Sequence, residues 1–159
     1  MSHTDLIDRI RGELTDLDQT VQRVNRAWKE AGRHPAEEDL LLDSVALNLH
    51  AFYSGVESIL EHIARSIDGS LPKGQAWHRH LLLQMREDSP PRRPAIISEK
   101  ACTSLDEYRR FRHLVRNVYA INLRSDRLFS LVQQLPDVWQ RVRAELDAFA
   151  DFLQAQVES

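Results

Sequence analysis

The stretch LLLDSVALNLHAFYSGVESILEHIARSI, from Leu40 to Ile67, decides the fold. Its apolar residues Leu42, Val45, Leu49, Phe52, Val56, Ile59, Ile63 and Ile67 advance by threes and fours, the period of an α-helix. Leu40, Leu41, Ala46, Tyr53 and Leu60 widen that face beyond one seam, as a helix contacted from two sides requires. Upstream, Pro35 suits a first helical position, and Glu37, Glu38 and Asp39 favour the positive end of the helix dipole. Asp68-Gly69 ends the pattern. A long central helix is therefore predicted, with others packed around it. Within it Tyr53, Glu57 and Glu61 follow at one-turn intervals, and Gly55 allows another element to approach closely. The plain reading of these residues is a partly buried tyrosine beside solvated acids. The functional one is that Glu57 pairs with an arginine of a later helix and orients it.

Working outward, Ile7, Ile10, Leu14, Leu17, Val21, Val24, Trp28 and Ala31 form a narrow seam of coiled-coil type, closed by Gly32 and Pro35. Such a seam needs a partner helix along its length, and a homodimer is expected from it. On the other side, residues 75–86 read as a shorter helix with Trp77, Leu81, Leu82 and Met85 inward. His78 and His80 diverge by about 200° on that helix, so they read as solvated or capping histidines and not as a metal pair. Residues 87–94 hold three prolines and form a loop. Ser98 or Ser104 can cap the next helix, with Ser104-Leu105-Asp106-Glu107 matching a capping box. That helix turns Leu105, Tyr108, Phe111, Val115 and Val118 inward. Asn122–Ser125 make a break, Ser125 and Asp126 open a short helix, and Pro136 opens a last one through Trp139, Val142, Leu146, Phe149 and Leu153. No segment alternates with period two for long enough to be a strand. The expected fold is all-α: an up-and-down bundle of four long helices with one or two short ones inserted, one domain over residues 1–159.

With 159 residues and 42% hydrophobic content, the chain can bury a sizeable core. Its net charge of −3 gives no overall electrostatic case for nucleic acid. The distribution differs: between Tyr108 and Arg127, Arg109, Arg110, Arg112, Arg116, Arg124 and Arg127 face a single acid, Asp126. Such a concentration in an acidic chain fits a local anion site or an acidic partner better than a general nucleic-acid coat. The lone Cys102 cannot form an internal disulfide, and no apolar run is long enough for a membrane span, so a cytoplasmic protein is expected.

The basic stretch reads Tyr108-Arg109-Arg110-Phe111-Arg112-His113-Leu114-Val115-Arg116-Asn117-Val118-Tyr119. On a helix Arg112, Arg116 and Tyr119 share one stripe, with His113 and Asn117 on the stripe beside it. Guanidinium forks bind phosphate, a phenol stacks and hydrogen-bonds, and an imidazole moves protons near neutral pH. The bland reading is a solvated arginine-rich face.

The order Arg112, four residues, Asn117, one residue, Tyr119 resembles the R-x4–6-H-x-Y motif of the HEPN superfamily. The surrounding FRHLVRNVYAINL, residues 111–123, resembles its HepT-like members, and the likeness extends from about Leu40 to the last helix. The resemblance implies a HEPN-like helical toxin encoded beside an MNT-type nucleotidyltransferase antitoxin, with metal-independent RNA cleavage by attack of the 2′-hydroxyl on the adjacent phosphate. Arg112 would stabilise the phosphate charge, Arg109 and Arg116 would help to bind RNA, and Tyr119 would accept AMP from the antitoxin. Asn117 stands where the motif has histidine, and an amide has no proton to exchange near neutrality. Asn117 could still position a phosphate, and His113 is the nearest substitute base. No cofactor or metal is called for. The rival reading is a non-catalytic helical dimer that binds a partner protein or a nucleotide through its arginine stripe.

Overall fold

In the computed structural model of the protein the described residues are 1–118 and 125–159, with side chains for all of these except 114–118, 125 and 127. Helix α1 runs over His3–Arg33, opened by a capping box in which Ser2 Oγ accepts from the Asp5 amide and the Asp5 carboxylate accepts from the Ser2 amide. After one 3₁₀ turn at Pro35–Glu37, α2 covers Glu38–Ile63 and continues as a single wider turn of π type, Ala64–Asp68. Gly69 ends it at φ +72°, a left-handed conformation that glycine adopts without strain. Helix α3 covers Trp77–Arg86, α4 Glu99–Val118 and α5 Ser125–Glu158. The all-α bundle of four long helices and one short one is as expected, and the described residues form no sheet.

Helix α2 is central: α1, α3, α4 and α5 all pack against it. Its Val45, Ala46, Leu49, Phe52, Val56, Ile59, Leu60 and Ile63 are fully or almost fully buried, whereas Leu40, read as part of this face, lies out in solvent at 72% exposure. The α1 seam from Ile7 to Ala31 is buried against α2 and α5 of the same chain. The partner helices it required are therefore internal, and the seam is not an open dimer surface. Gly55 lies where α1 and α2 approach closely: a Cβ there would fall 2.6 Å from Leu17 Cδ2. Trp139 Nε1 and Arg143 of α5 both donate to Asp18 of α1, at 2.8–3.2 Å, and hold the third side of this layer.

One boundary differs from expectation, and another is decided between the two residues offered for it. The last 34 residues of helix form one element with exposed Pro136 inside it, not two helices. Proline removes one backbone bond, but Leu128, Leu131, Leu135, Val138, Trp139 and Val142 form one buried stripe across it, so packing on both sides keeps the rod continuous. Likewise Ser98, not Ser104, caps α4: its Oγ accepts from the Ala101 amide at 3.1 Å, while its own N–H and O–H donate to Glu145 of α5. A local capping pattern lost to a cap with a tertiary partner.

Candidate active site

Between α4 and α3 with the turn before it lies a cavity of about 310 Å³ lined by Gln75, Ala76, His78, Arg79, Arg109, Arg112 and His113. Helix α4 crosses α2 through Phe52 and Tyr108, packed edge to face at 5.4 Å, and Tyr108 donates its buried hydroxyl to the Leu131 carbonyl at 2.7 Å. One turn further along α4, this crossing carries Arg112 over Ser54 and Glu57.

Arg112 is buried, its side chain 9% exposed, and so is Glu57 at 6%. Arg112 Nη1 donates to Glu57 Oε1 at 3.0 Å and to Ser54 Oγ at 3.3 Å. Beneath it the guanidinium lies 5.1 Å from the centre of the Tyr53 ring, a cation–π contact. Burial, with the Glu57 carboxylate beside it, pushes the Tyr53 phenol well above its ordinary range, and its hydroxyl has no hydrogen-bond partner among the described residues. Tyr53 is thus a neutral floor under the ion pair. The pairing of Glu57 with an arginine of the motif helix, read from the sequence as the functional alternative to a solvated acid, is present.

Helix α3 closes the site. His78 Nδ1 lies 2.8 Å from Glu57 Oε2 and 2.8 Å from Arg112 Nη2, and its ring stacks on Trp77 at 3.7 Å. His78 is thus neither a solvated nor a capping histidine but the third member of a Glu57–Arg112–His78 cluster, its side chain 25% exposed. Sequence reasoning missed it because its partners lie 21 and 34 residues away, and an apolar period carries no information on which polar side chains meet across helices.

The remaining basic residues are not one open stripe. Arg109 Nε donates to Asp106 at 2.7 Å and Arg110 shares the same carboxylate at 3.5 Å, so both are partly neutralised on their own helix. Exposed Arg79 has no ion pair among the described residues and is the uncompensated cation on the rim. His113 reaches the rim from the exposed side of α4. Of the residues singled out in the sequence, Arg109, Arg112 and His113 converge on the cavity; the side chains of Arg116, Asn117 and Tyr119 lie outside the described residues. No group of three or more acids, histidines or cysteines among the described residues could hold a metal ion.

A family model described as HepT-like protein matches residues 44–153, most of the chain. The chain belongs to the HepT-like family. Its membership spans α2 from Ser44 through most of α5, and so includes every element that builds the cavity. The crystal structure of a mutant toxin–antitoxin MntA–HpeT complex contains a chain similar to this HepT-like protein, with a TM-score of 0.67 and 20% identity over 89% of this chain and 98% of that one. At that identity the likeness is one of fold. Comparison with curated proteins found no match.

Proposed function

We propose that this HepT-like protein is the toxin of a toxin–antitoxin pair whose partner is an MNT-type nucleotidyltransferase, that it cleaves RNA at the α3–α4 cavity, and that transfer of AMP to Tyr119 silences it. The observation that carries the reading is Arg112: a buried guanidinium oriented by Glu57 and Ser54, with Nη2 and Nε not committed to a carboxylate, at the wall of a cavity rimmed by Arg79 and Arg109. A guanidinium held in place before the substrate arrives stabilises charge that develops on a phosphate without reorganising at the moment of reaction. The MntA–HpeT likeness supports the choice of partner. A net-acidic chain with its cations gathered here favours a single anionic ligand site over a coating of phosphates.

The test has two arms. The purified chain, incubated in chelator with mixed-sequence RNA, should cleave it, and Arg112→Ala should reduce cleavage by about 10²–10³-fold. Incubation with the nucleotidyltransferase and ATP should add one AMP to Tyr119, located by peptide mapping, and abolish cleavage. Label on Tyr53 or Tyr108 would move the acceptor. RNA that binds but stays intact under every condition would favour the second reading, a non-catalytic binding module, which the amide of Asn117 at the motif position supports.

A further inference from the structure

We propose that His78, from outside the motif helix, is the proton carrier of this site; the inference rests on the RNA-cleavage reading above. Two imidazoles border the cavity, His78 and His113. They differ in burial: His113 is on the exposed side of α4, whereas the His78 side chain is 25% exposed. The His78 ring is fixed on one face by Trp77, stacked at 3.7 Å, and on one edge by Glu57 and Arg112. A base must be held in one orientation to act, and a carboxylate behind an imidazole supplies both the orientation and the tautomer.

We assign the ring hydrogen to Nδ1. Nδ1 stands 2.8 Å from an acceptor, Glu57 Oε2, and 2.8 Å from a donor, Arg112 Nη2, and it cannot serve both. Glu57 Oε2 has no other donor among the described residues, and a buried carboxylate oxygen left unpaired is costly. Nη2 carries two hydrogens and has the cavity beside it. Nδ1 therefore donates to Glu57, and Arg112 keeps hydrogens for an anion. The lone pair is left on Nε2, which has no partner among the described residues, on a side chain that lines the cavity.

With RNA in the cavity, Nε2 takes the proton of a ribose 2′-hydroxyl as the 2′-oxygen bonds to the adjacent phosphorus. The bond from phosphorus to the 5′-oxygen then breaks, and that oxygen takes the same proton from Nε2. The products are a 2′,3′-cyclic phosphate and a free 5′-hydroxyl, so no co-reactant is consumed and the imidazole ends as it began. Arg112 holds the phosphate charge, and Glu57 is a positioning residue that also steadies the transient imidazolium. The Arg79, Arg109 and Arg112 cations and the His113 ring face the same space from α3 and α4. Asn117, at the motif position, has no proton to move.

The experiment compares wild type, His78→Gln, His78→Ala, His113→Ala and Arg112→Ala on a fluorescent mixed-sequence RNA, in chelator, across about pH 5 to 9. Both His78 variants should lose about 10²–10⁴-fold in cleavage rate, with helical circular dichroism and RNA retention on a gel unchanged. The loss in His113→Ala should be at least about tenfold smaller than in His78→Ala. Free imidazole should restore cleavage to His78→Ala and not to Arg112→Ala. Cleavage at the wild-type rate by His78→Gln, together with its loss in Arg112→Ala, would overturn the assignment of His78 and leave the ribonuclease reading standing. A wild type that never cuts would remove both.

Discussion

Two buried arginines in this molecule each pair with a buried acid, and the difference lies in what is left over. Arg93, in the loop before α4, has a side chain 2% exposed against 7% for Asp68 at the end of α2. All five of its N–H groups are taken: Nε and Nη2 by the two Asp68 oxygens, and the other three by the carbonyls of Glu87, Pro94 and Gln84. Gln84 completes the Asp68 shell. Nothing is spare, and this pair ties the 87–95 loop to the end of α2. Arg112 is nearly as buried, yet among the described residues only its Nη1 is committed to oxygen acceptors, and a cavity adjoins the rest. Complete satisfaction makes a clamp; incomplete satisfaction beside open space makes a site.

The largest expected effect tests the clamp. Arg93→Ala strands Asp68 and three carbonyls, and should cost about 3–5 kcal/mol, seen as a lower urea midpoint. Arg112→Ala should cost less, about 1–3 kcal/mol, because Glu57 keeps its bond to His78 and water can enter from the cavity. Equal losses would break the contrast.

Acid titration gives an intermediate effect. Burial alone would raise the Asp68 carboxyl, but hydrogen bonds from Arg93 and Gln84 outweigh it and hold the group below its ordinary value of 3.8. A depressed folded-state value stabilises the fold above the unfolded one, and that contribution is lost as pH falls through the folded value. Stability of the wild type should therefore fall below about pH 4, and Arg93→Ala should flatten that limb in urea melts at stepped pH. An unchanged limb would show that Asp68 does not depend on its clamp.

The smallest effect belongs to the rim. Exposed Arg79, unpaired among the described residues, should be replaceable by Ala within about 0.5 kcal/mol of stability. The same change should lower the salt slope of RNA binding by about one unit. A slope indifferent to Arg79→Ala would take phosphate away from this side of the cavity.

Much of the fold was legible because helical packing writes itself into an apolar period. Most of the α2 face, the α1 seam apart from half-buried Trp28, and the inward Leu105, Tyr108 and Phe111 of α4 were readable and are buried, whereas Leu40 is not. Element boundaries were less so: Ser104 against Ser98, and Pro136 as a start against Pro136 inside a rod, turned on Glu145 and on a stripe continued from the far side of the proline. In the site, Arg112 and its pairing with Glu57 could be anticipated, since the stretch from Tyr108 to Tyr119 carries arginines and no acid and draws counter-charge from elsewhere. His78 could not. Its role depends on α3 lying across both α2 and α4, which no spacing within α3 encodes.

By itself, then, the order of residues determined an all-α bundle, its central helix, the concentration of cations on α4 and the amide at Asn117 in place of an imidazole, because periodicity, charge and residue chemistry are local properties of a chain. Tertiary structure alone decided that the α1 seam is satisfied within the chain, that Arg93 is a saturated clamp while Arg112 keeps hydrogens for a cavity, and that a histidine from a third helix stands behind that cavity on Glu57. These depend on which helices touch and at what offset, and contacts between polar side chains of different helices leave no period in the sequence.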